Sequence, residues 1–592
     1  MVSRRGVTEG SGVPVKNNME NKIKILIKSA LRNLGIAEAD FIVEHPEDLK
    51  NGDYSTNIAM AVAKNAKANP KDLAEKIKLE LEKNLPQKIE KIEIAGAGFI
   101  NFYLSRKFFS ESIEEIVNKG NDTGKNETLS GKKMMVEYTD PNPFKPFHIG
   151  HLMTNAIGES IARILEHSGA DVARANYQGD VGLHVAKAFY GMQKKGMPTD
   201  MSASVQVLAQ YIGDSYVLGS EAYENNEQAK KEIDEINKKI YSHEDPEVND
   251  VYDWGFKVTM EAFEYLYKIL GTKFDYYFLE SAMADIGSEI VREHTGKVFT
   301  ESDGAVIFKG EEYNEEGQPK LHTRVFITSK GLPTYETKEL GLTSEKFKVE
   351  PEMNLCIVIT ANEQMDYMRV VAKALSLIRP EYENKMLHIT HGMMRLATGK
   401  MSSRKGNIVT GESLLNDTIA LVSERLKEHD WSIEEKNKIA QAIGVAALKY
   451  SILKQSTNGD IIYDFESSIS FEGDSGPYLQ YSFARANSIL EKAKKENILP
   501  DFTVVPDEVF EVEKLLYKFS EIVERSAREY EPHYIANYLI EVARSFNSFY
   551  GSIVIVSKED KTSSYKVALT YAFSFVMKTG LHMLGIEAPN KM

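Results

Sequence analysis

Residues Val136–Leu165, VEYTDPNPFKPFHIGHLMTNAIGESIARIL, decide the reading of this chain. They predict a strand (Met134–Thr139), a proline-broken loop and then a helix. The loop delivers two imidazoles, His148 and His151, with Gly150 between them, to the point where the helix begins. A helix N-terminus presents unpaired N–H groups and the positive end of the macrodipole, so anions collect there. The histidines add donors, and the glycine lets a phosphate chain lie close to the backbone. Alone, an HxGH string reads more plainly as two histidines in a loop. The rest of the chain decides between the two.

With 592 residues the chain holds several domains and ample core. Hydrophobic content of 42% and charged content of 27% are ordinary for a globular protein. No run of about 18 apolar residues occurs, so no membrane span is predicted. The single cysteine, Cys356, excludes a disulfide framework and a Cys-rich zinc site, and a reducing cytoplasm fits. The net charge of −15 argues mildly against a nucleic-acid partner but says little about a local basic patch.

Residues 1–18 are polar and aperiodic and predict a disordered extension, without the marks of a signal or transit peptide. A helical period begins abruptly at Met19, which makes Met19 the expected native start. Residues 19–105 alternate helices and strands as a small α/β domain. In it NGDYSTNIAMAVAKNAK (51–67) reads as a loop entering a helix and IEKIEIAGAGFINFYLS (89–105) as two strands about a Gly-rich turn. Residues 106–132 read as a helix and linker. Over 133–412 we expect a Rossmann-like parallel sheet, its βαβ unit carrying ligands at the strands' carboxyl ends. AVIFKG (305–310), RVFITS (324–329), LCIVIT (355–360) and LHIT (387–390) read as its further strands, buried on both faces. A charged helical insertion is expected at about 201–270, and from 413 to 592 the chain reads as wholly helical.

Gly399–Asn407, GKMSSRKGN, is the second constellation. It sets Lys400, Arg404 and Lys405 among small residues, in a loop that can close over a polyphosphate and place charge where it develops. HxGH early in a parallel α/β domain, with KMSSRKGN at its end, resembles the signature pair of class I aminoacyl-tRNA synthetases. EYTDPNPFKPFHIGHL, NYQGDVG, YETKE (335–339), GPYLQYSFARANSIL (476–490), RSFNSFY (544–550) and the tail GLHMLGIEAPNKM resemble the arginyl members. GDYSTNIAMAVAK and AGAGFINFYLS resemble that family's N-terminal tRNA-binding domain. The resemblance spans about 19–592.

What the resemblance implies is a two-step ligase. Arginine's carboxylate attacks the α-phosphate of ATP, with Mg²⁺ present and no structural zinc, and the 3′-terminal ribose of tRNA(Arg) then takes the arginyl group. His148, Gly150 and His151 would bind the ATP phosphates, Lys145 would add fixed charge, and Lys400, Met401, Ser402, Ser403 and Lys405 would form the closing loop. Glu137 and Asn142 would bind the α-amino end of arginine, Tyr335 and Glu339 the guanidinium, and Gln364 would help fix the substrate. A guanidinium has five donors and a permanent charge, so carboxylate and amide acceptors suit it. The helical C-terminal part would bind the anticodon, with Tyr478, Tyr481, Phe483, Phe546, Phe549 and Tyr550 as candidate stacking residues, of which one or two are expected to touch RNA. Asn57 and Phe99–Asn101 would lie near the tRNA elbow. A cytoplasmic monomer is expected.

Three features depart from the arginyl pattern. Met153 stands where the family commonly has arginine, Glu339 where it commonly has aspartate, and the 201–270 insertion matches least. A cysteine-specific synthetase is disfavoured by the lone cysteine, and a small nucleotidyltransferase has no need of KMSSRKGN. A tRNA-binding protein that had lost catalysis would be expected to lack one signature.

Overall fold

Five parallel strands form the centre of the chain: β1 (Lys133–Glu137), β2 (Asp171–Gln178), β3 (Tyr276–Leu279), β4 (Leu355–Ala361) and β5 (Met386–His391). A computed structural model describes residues 19–397 and 410–592; the extension 1–18 and the GKMSSRKGN segment lie outside the described residues. The strands lie in the order β5-β4-β1-β2-β3. The chain winds outward from β1 to β3, returns, and continues on the other side through β4. The winding therefore reverses between β1 and β4, and in such sheets the crevice outside the carboxyl ends at the reversal is where ligands bind.

Successive strand residues point to opposite faces. Met134 and Val136 pack with Leu152, Ile157 and Ile161 of helix α1 (Ile149–His167), while Met135, Cys356 and Val358 pack on the other face with Leu340 and Phe347. Helix α1 crosses closely at Gly158, where a Cβ would stand 2.2 Å from the Tyr138 ring.

Three expectations are corrected here. AVIFKG and RVFITS are not in the parallel sheet. With Thr300–Ser302 they form a separate antiparallel ribbon. Its hairpin turns on Asp303 and Gly304, both at positive φ (50° and 79°), the geometry that a two-residue Asp-Gly turn adopts. The region after 413 is not wholly helical, because Ile461–Tyr463 pairs in parallel with Met394–Leu396. In NGDYSTN, Tyr54–Thr56 is a strand and not part of a loop, and the Asp53 carboxylate accepts from Leu104 N at 2.7 Å.

The N-terminal domain sets helices Met19–Asn33, Ile58–Ala66 and Pro70–Glu82 on a four-stranded antiparallel sheet with its own core. It docks on the C-terminal helices through His45 and Tyr54, both against Glu521, and through Arg106 against Glu513. The insertion comprises helices Val205–Asn225, Glu227–Ser242 and Pro246–Leu270, which share a core with Leu183–Lys195. Lys449, wholly buried, donates to Leu270 O (2.6 Å) and Gly585 O (2.9 Å), tying the insertion's last helix to the C-terminal tail. Among the described residues no helix is long and apolar enough to cross a membrane.

Candidate active site

A cleft of about 930 Å³ opens at the reversal point, between the carboxyl ends of β1 and β4. Its floor is the start of α1. His148 caps that helix from an extended conformation: its Nδ1 accepts from His151 N (3.3 Å), while His151 Nδ1 accepts from His148 N (3.2 Å). Both Nδ1 atoms act as acceptors, so each neutral ring carries its proton on Nε2. Dehydration by the cleft walls, with Lys145 and His391 adding repulsion, lowers the His148 pKa to about 4, and burial lowers His151 further. The two rings stack, and a Cβ on Gly150 would come 2.9 Å from His148 Cε1. The cap thus fixes two neutral Nε2–H donors beside the helix N-terminus.

The loop between β1 and α1 is strained. Thr139, Asp140 and Phe144 all hold positive φ (79°, 46° and 66°). It is held by Tyr177 N donating to Asp140 (2.7 Å), by Asn155 donating to Thr139 Oγ1 (3.0 Å), and by the Phe144 ring, buried in the insertion's core. The loop brings Asn142 against Gly179 of NYQGDVG, where any Cβ would lie 2.0 Å from Asn142 Oδ1 and 3.3 Å from Glu280 Oε2. Glu280 is paired with Lys338. Lys145, half-buried with its Nζ 5.4 Å from the centre of the Tyr216 ring, has its pKa lowered by burial and by Lys187.

Glu137 and Glu339 are both buried, at 2% and 6% exposure, and neither is a surface residue. Glu137 pairs with Lys346, itself 0% exposed, at 2.5 Å. Burial pushes Glu339 up to about 7, against the pull of Lys346 and with the push of Glu137. Asp140 is also raised well above its ordinary value, by burial and then by Glu137. Glu137 therefore groups with Glu339, Lys346 and Asp140, while Asn142 groups with Glu280. Tyr335, 72% exposed, stands at the rim one helical turn before Glu339, and Gln364 accepts from Tyr367 (3.2 Å) at the end of β4.

The family profile for class I (R) tRNA synthetase catalytic domains matches residues 112–465. The chain belongs to the arginyl-tRNA synthetase family. The profiles for the arginyl-tRNA synthetase N-terminal domain and the DALR anticodon-binding domain match 21–104 and 479–592. Arginine–tRNA ligase of Clostridium perfringens is 32% identical, over 95% of this chain and 97% of its own length. That of Borrelia turicatae is 30% identical, over 98% and 99%. The fold matches the Thermus thermophilus arginyl-tRNA synthetase with a TM-score of 0.79 at 23% identity, covering 97% of this chain and all of that one.

Against the family pattern, Met153 is a core residue at 2% exposure, which leaves it no surface role. Of the residues expected at the tRNA, several lie inside the fold. Phe549 (5%), Phe546 (0%) and Phe483 (3%) are interior, because at helical spacing they face the bundle core. Tyr478 is half-buried and accepts from Asn547 (2.9 Å). Asn101 is buried and accepts from Ser55 Oγ (2.7 Å). Asn57 is half-buried and accepts from Ile42 N (3.0 Å), and Phe99 is exposed. Tyr481 and Tyr550 are open, and their rings flank the Arg485 guanidinium at 4.8 and 5.1 Å beside a cavity of about 740 Å³. Lys400, Met401, Ser402, Ser403 and Lys405 lie outside the described residues.

Also at or beside the cleft, and marked by no motif in the sequence, are Lys346, Asp140, Glu280, Lys338 and His391, and the insertion's Tyr216, Asn237 and Tyr241. A signal existed for Lys346. It stands seven residues after Glu339, two turns along the same helix face.

Proposed function

We propose that this protein activates L-arginine with ATP and transfers it to the 3′-terminal ribose of tRNA(Arg) in translation. The observation that supports the reading best is two buried carboxylates, Glu137 and Glu339, in the same cleft as the two capped imidazoles. Arginine enters with its guanidinium on Glu137 and Glu339 beneath Tyr335, and its α-ammonium toward Asn142 Oδ1, with Gln364 at the β4 side. The substrate carboxylate attacks the α-phosphorus of ATP, which enters as its Mg²⁺ complex. A C–O–P linkage forms and pyrophosphate leaves. His148 and His151 donate to the phosphate oxygens, Lys145 balances their charge, and Lys400 and Lys405 hold the pyrophosphate end. This is positioning and charge placement, as phosphoryl chemistry requires. The tRNA ribose hydroxyl then attacks the arginyl carbonyl and AMP departs. Charging of total tRNA with each of the twenty amino acids tests the reading. Arginine alone is expected to be accepted; charging with another amino acid defeats the specificity, and no charging at all defeats the activity.

The Glu339 site makes arginine binding pH-dependent. Its carboxyl is raised to about 7 and must be ionised to meet a cation. The arginine KM should therefore fall as pH rises toward that value, by up to about tenfold per unit below it, and level off above. The same shift costs folding stability as pH climbs from 4.5 toward 7, because the unfolded chain ionises first. A flat KM profile across this range would remove Glu339 from the guanidinium site.

At the C-terminal domain, Tyr481, Tyr550 and Arg485 offer faces on which unpaired anticodon bases can stack. Tyr481→Ala should raise the tRNA KM about tenfold, the worth of one stacked base, and leave the ATP KM unchanged. Steady-state charging with varied tRNA and then varied ATP separates the two.

A further inference from the structure

The cleft contains imidazoles of two kinds. His148 and His151 spend Nδ1 on the helix cap and present Nε2–H. His391, the last residue of β5, does the reverse. Its Nδ1 lies 2.7 Å from Gly392 O, and a carbonyl only accepts, so Nδ1 holds the proton and Nε2 holds a lone pair. The residue is 2% exposed and lines the cleft, and its Nε2 has no partner among the described residues. Burial keeps the ring neutral.

A buried acceptor without a donor is costly to keep and is normally met by something. Phosphate oxygens cannot meet it, since they are acceptors themselves. The arginine end of the cleft lies elsewhere: Glu137 on β1 is level with Val358 of β4, whereas His391 on β5 is level with Ala361, three residues further along and on the other flank of β4, toward the nucleotide end. The donors of that end belong to the adenosine, as its 6-amino group and its ribose hydroxyls.

We propose that His391 Nε2 accepts a hydrogen bond from the nucleoside half of ATP and so helps to select the nucleotide that the cleft takes. This rests on the adenylate-forming reading above. It makes His391 a specificity residue, standing apart from the phosphate-binding pair.

The test uses the full chain with tRNA present. Arginine-dependent pyrophosphate exchange is followed with ATP, purine riboside triphosphate (no 6-amino group), 2′-deoxy-ATP and 3′-deoxy-ATP. The wild type should disfavour at least one analogue by about tenfold or more in kcat/KM, and which one tells whether the amino group or a hydroxyl is read. His391→Phe, which fills the space without an acceptor, should raise the ATP KM by a similar factor and abolish that preference, while His391→Gln, which keeps an acceptor, should restore part of it. A Phe variant with the wild-type ATP KM overturns the proposal. So does one that loses the same factor with every nucleotide, since that marks a packing role. A wild type with no arginine-dependent exchange defeats the adenylate reading itself and takes this proposal with it. Calorimetric titration of ATP into wild type and variants gives the same comparison without turnover.

Discussion

His151→Asn should lower the rate of adenylate formation about 10²–10³-fold, the usual loss when one donor to a developing charge is removed. Its thermal midpoint should stay near that of the wild type. The separation follows from the two jobs of the ring. Its Nδ1 completes the cap by accepting from His148 N, and its Nε2–H faces the cleft. An asparagine side-chain oxygen can take over the first job but carries no donor at the position of the second. His151→Ala gives up both, so it should add about 1 kcal/mol of destabilisation to the same kinetic loss. Pyrophosphate exchange gives the rates and denaturant titration gives the stabilities. If the asparagine variant exchanges as fast as the wild type, the histidine is a helix cap and nothing more.

The larger effect on folding is expected at Lys346. Lys346→Met should cost about 3–5 kcal/mol, as breaking a buried pair from one side does. With the ammonium gone, Glu137, Glu339 and Asp140 face one another with no counter-charge among the groups shown to act on them. Some of that cost is escaped by protonation, so the loss should shrink as pH is lowered. Pairing Lys346→Met with Glu137→Gln should recover most of it, because the uncompensated charge is then removed. Free arginine should stabilise the single variant more than it stabilises the wild type, since its guanidinium can stand in for the missing cation. Additive losses in the double variant would show that the two side chains are not coupled.

The phosphate end of the site was legible because it is local. A strand, a proline-broken loop and a cap are all encoded within a few residues of His148, and the strand ends at β4 and β5 follow from short apolar runs. The arginine end depends on packing. That Glu137 belongs with Glu339 follows only once the helix Tyr335–Val349 is laid against the sheet with Lys346 facing inward. The antiparallel ribbon is hidden in the sequence for a different reason. Two of its strands have the same apolar character as the parallel ones, and only Asp303-Gly304, just ahead of the first, marks a hairpin. Phe549 and Phe546 share helical spacing with open aromatics such as Tyr550, and spacing alone does not show which side faces the bundle.

The pairing of Met394–Leu396 with Ile461–Tyr463, and the bridge from Thr410 to His148, fix both flanks of the KMSSRKGN segment. Thr410 is also the cap of the helix Gly411–Arg425, its hydroxyl accepting from Ser413 N at 3.0 Å, and Gly411 N donates to Phe147 O at 2.8 Å. The starts of two helices, this one and α1, are thereby stitched side by side at His148. Their positive ends add at one point, so the cleft meets an anion with two helix termini where a single capped helix would offer one.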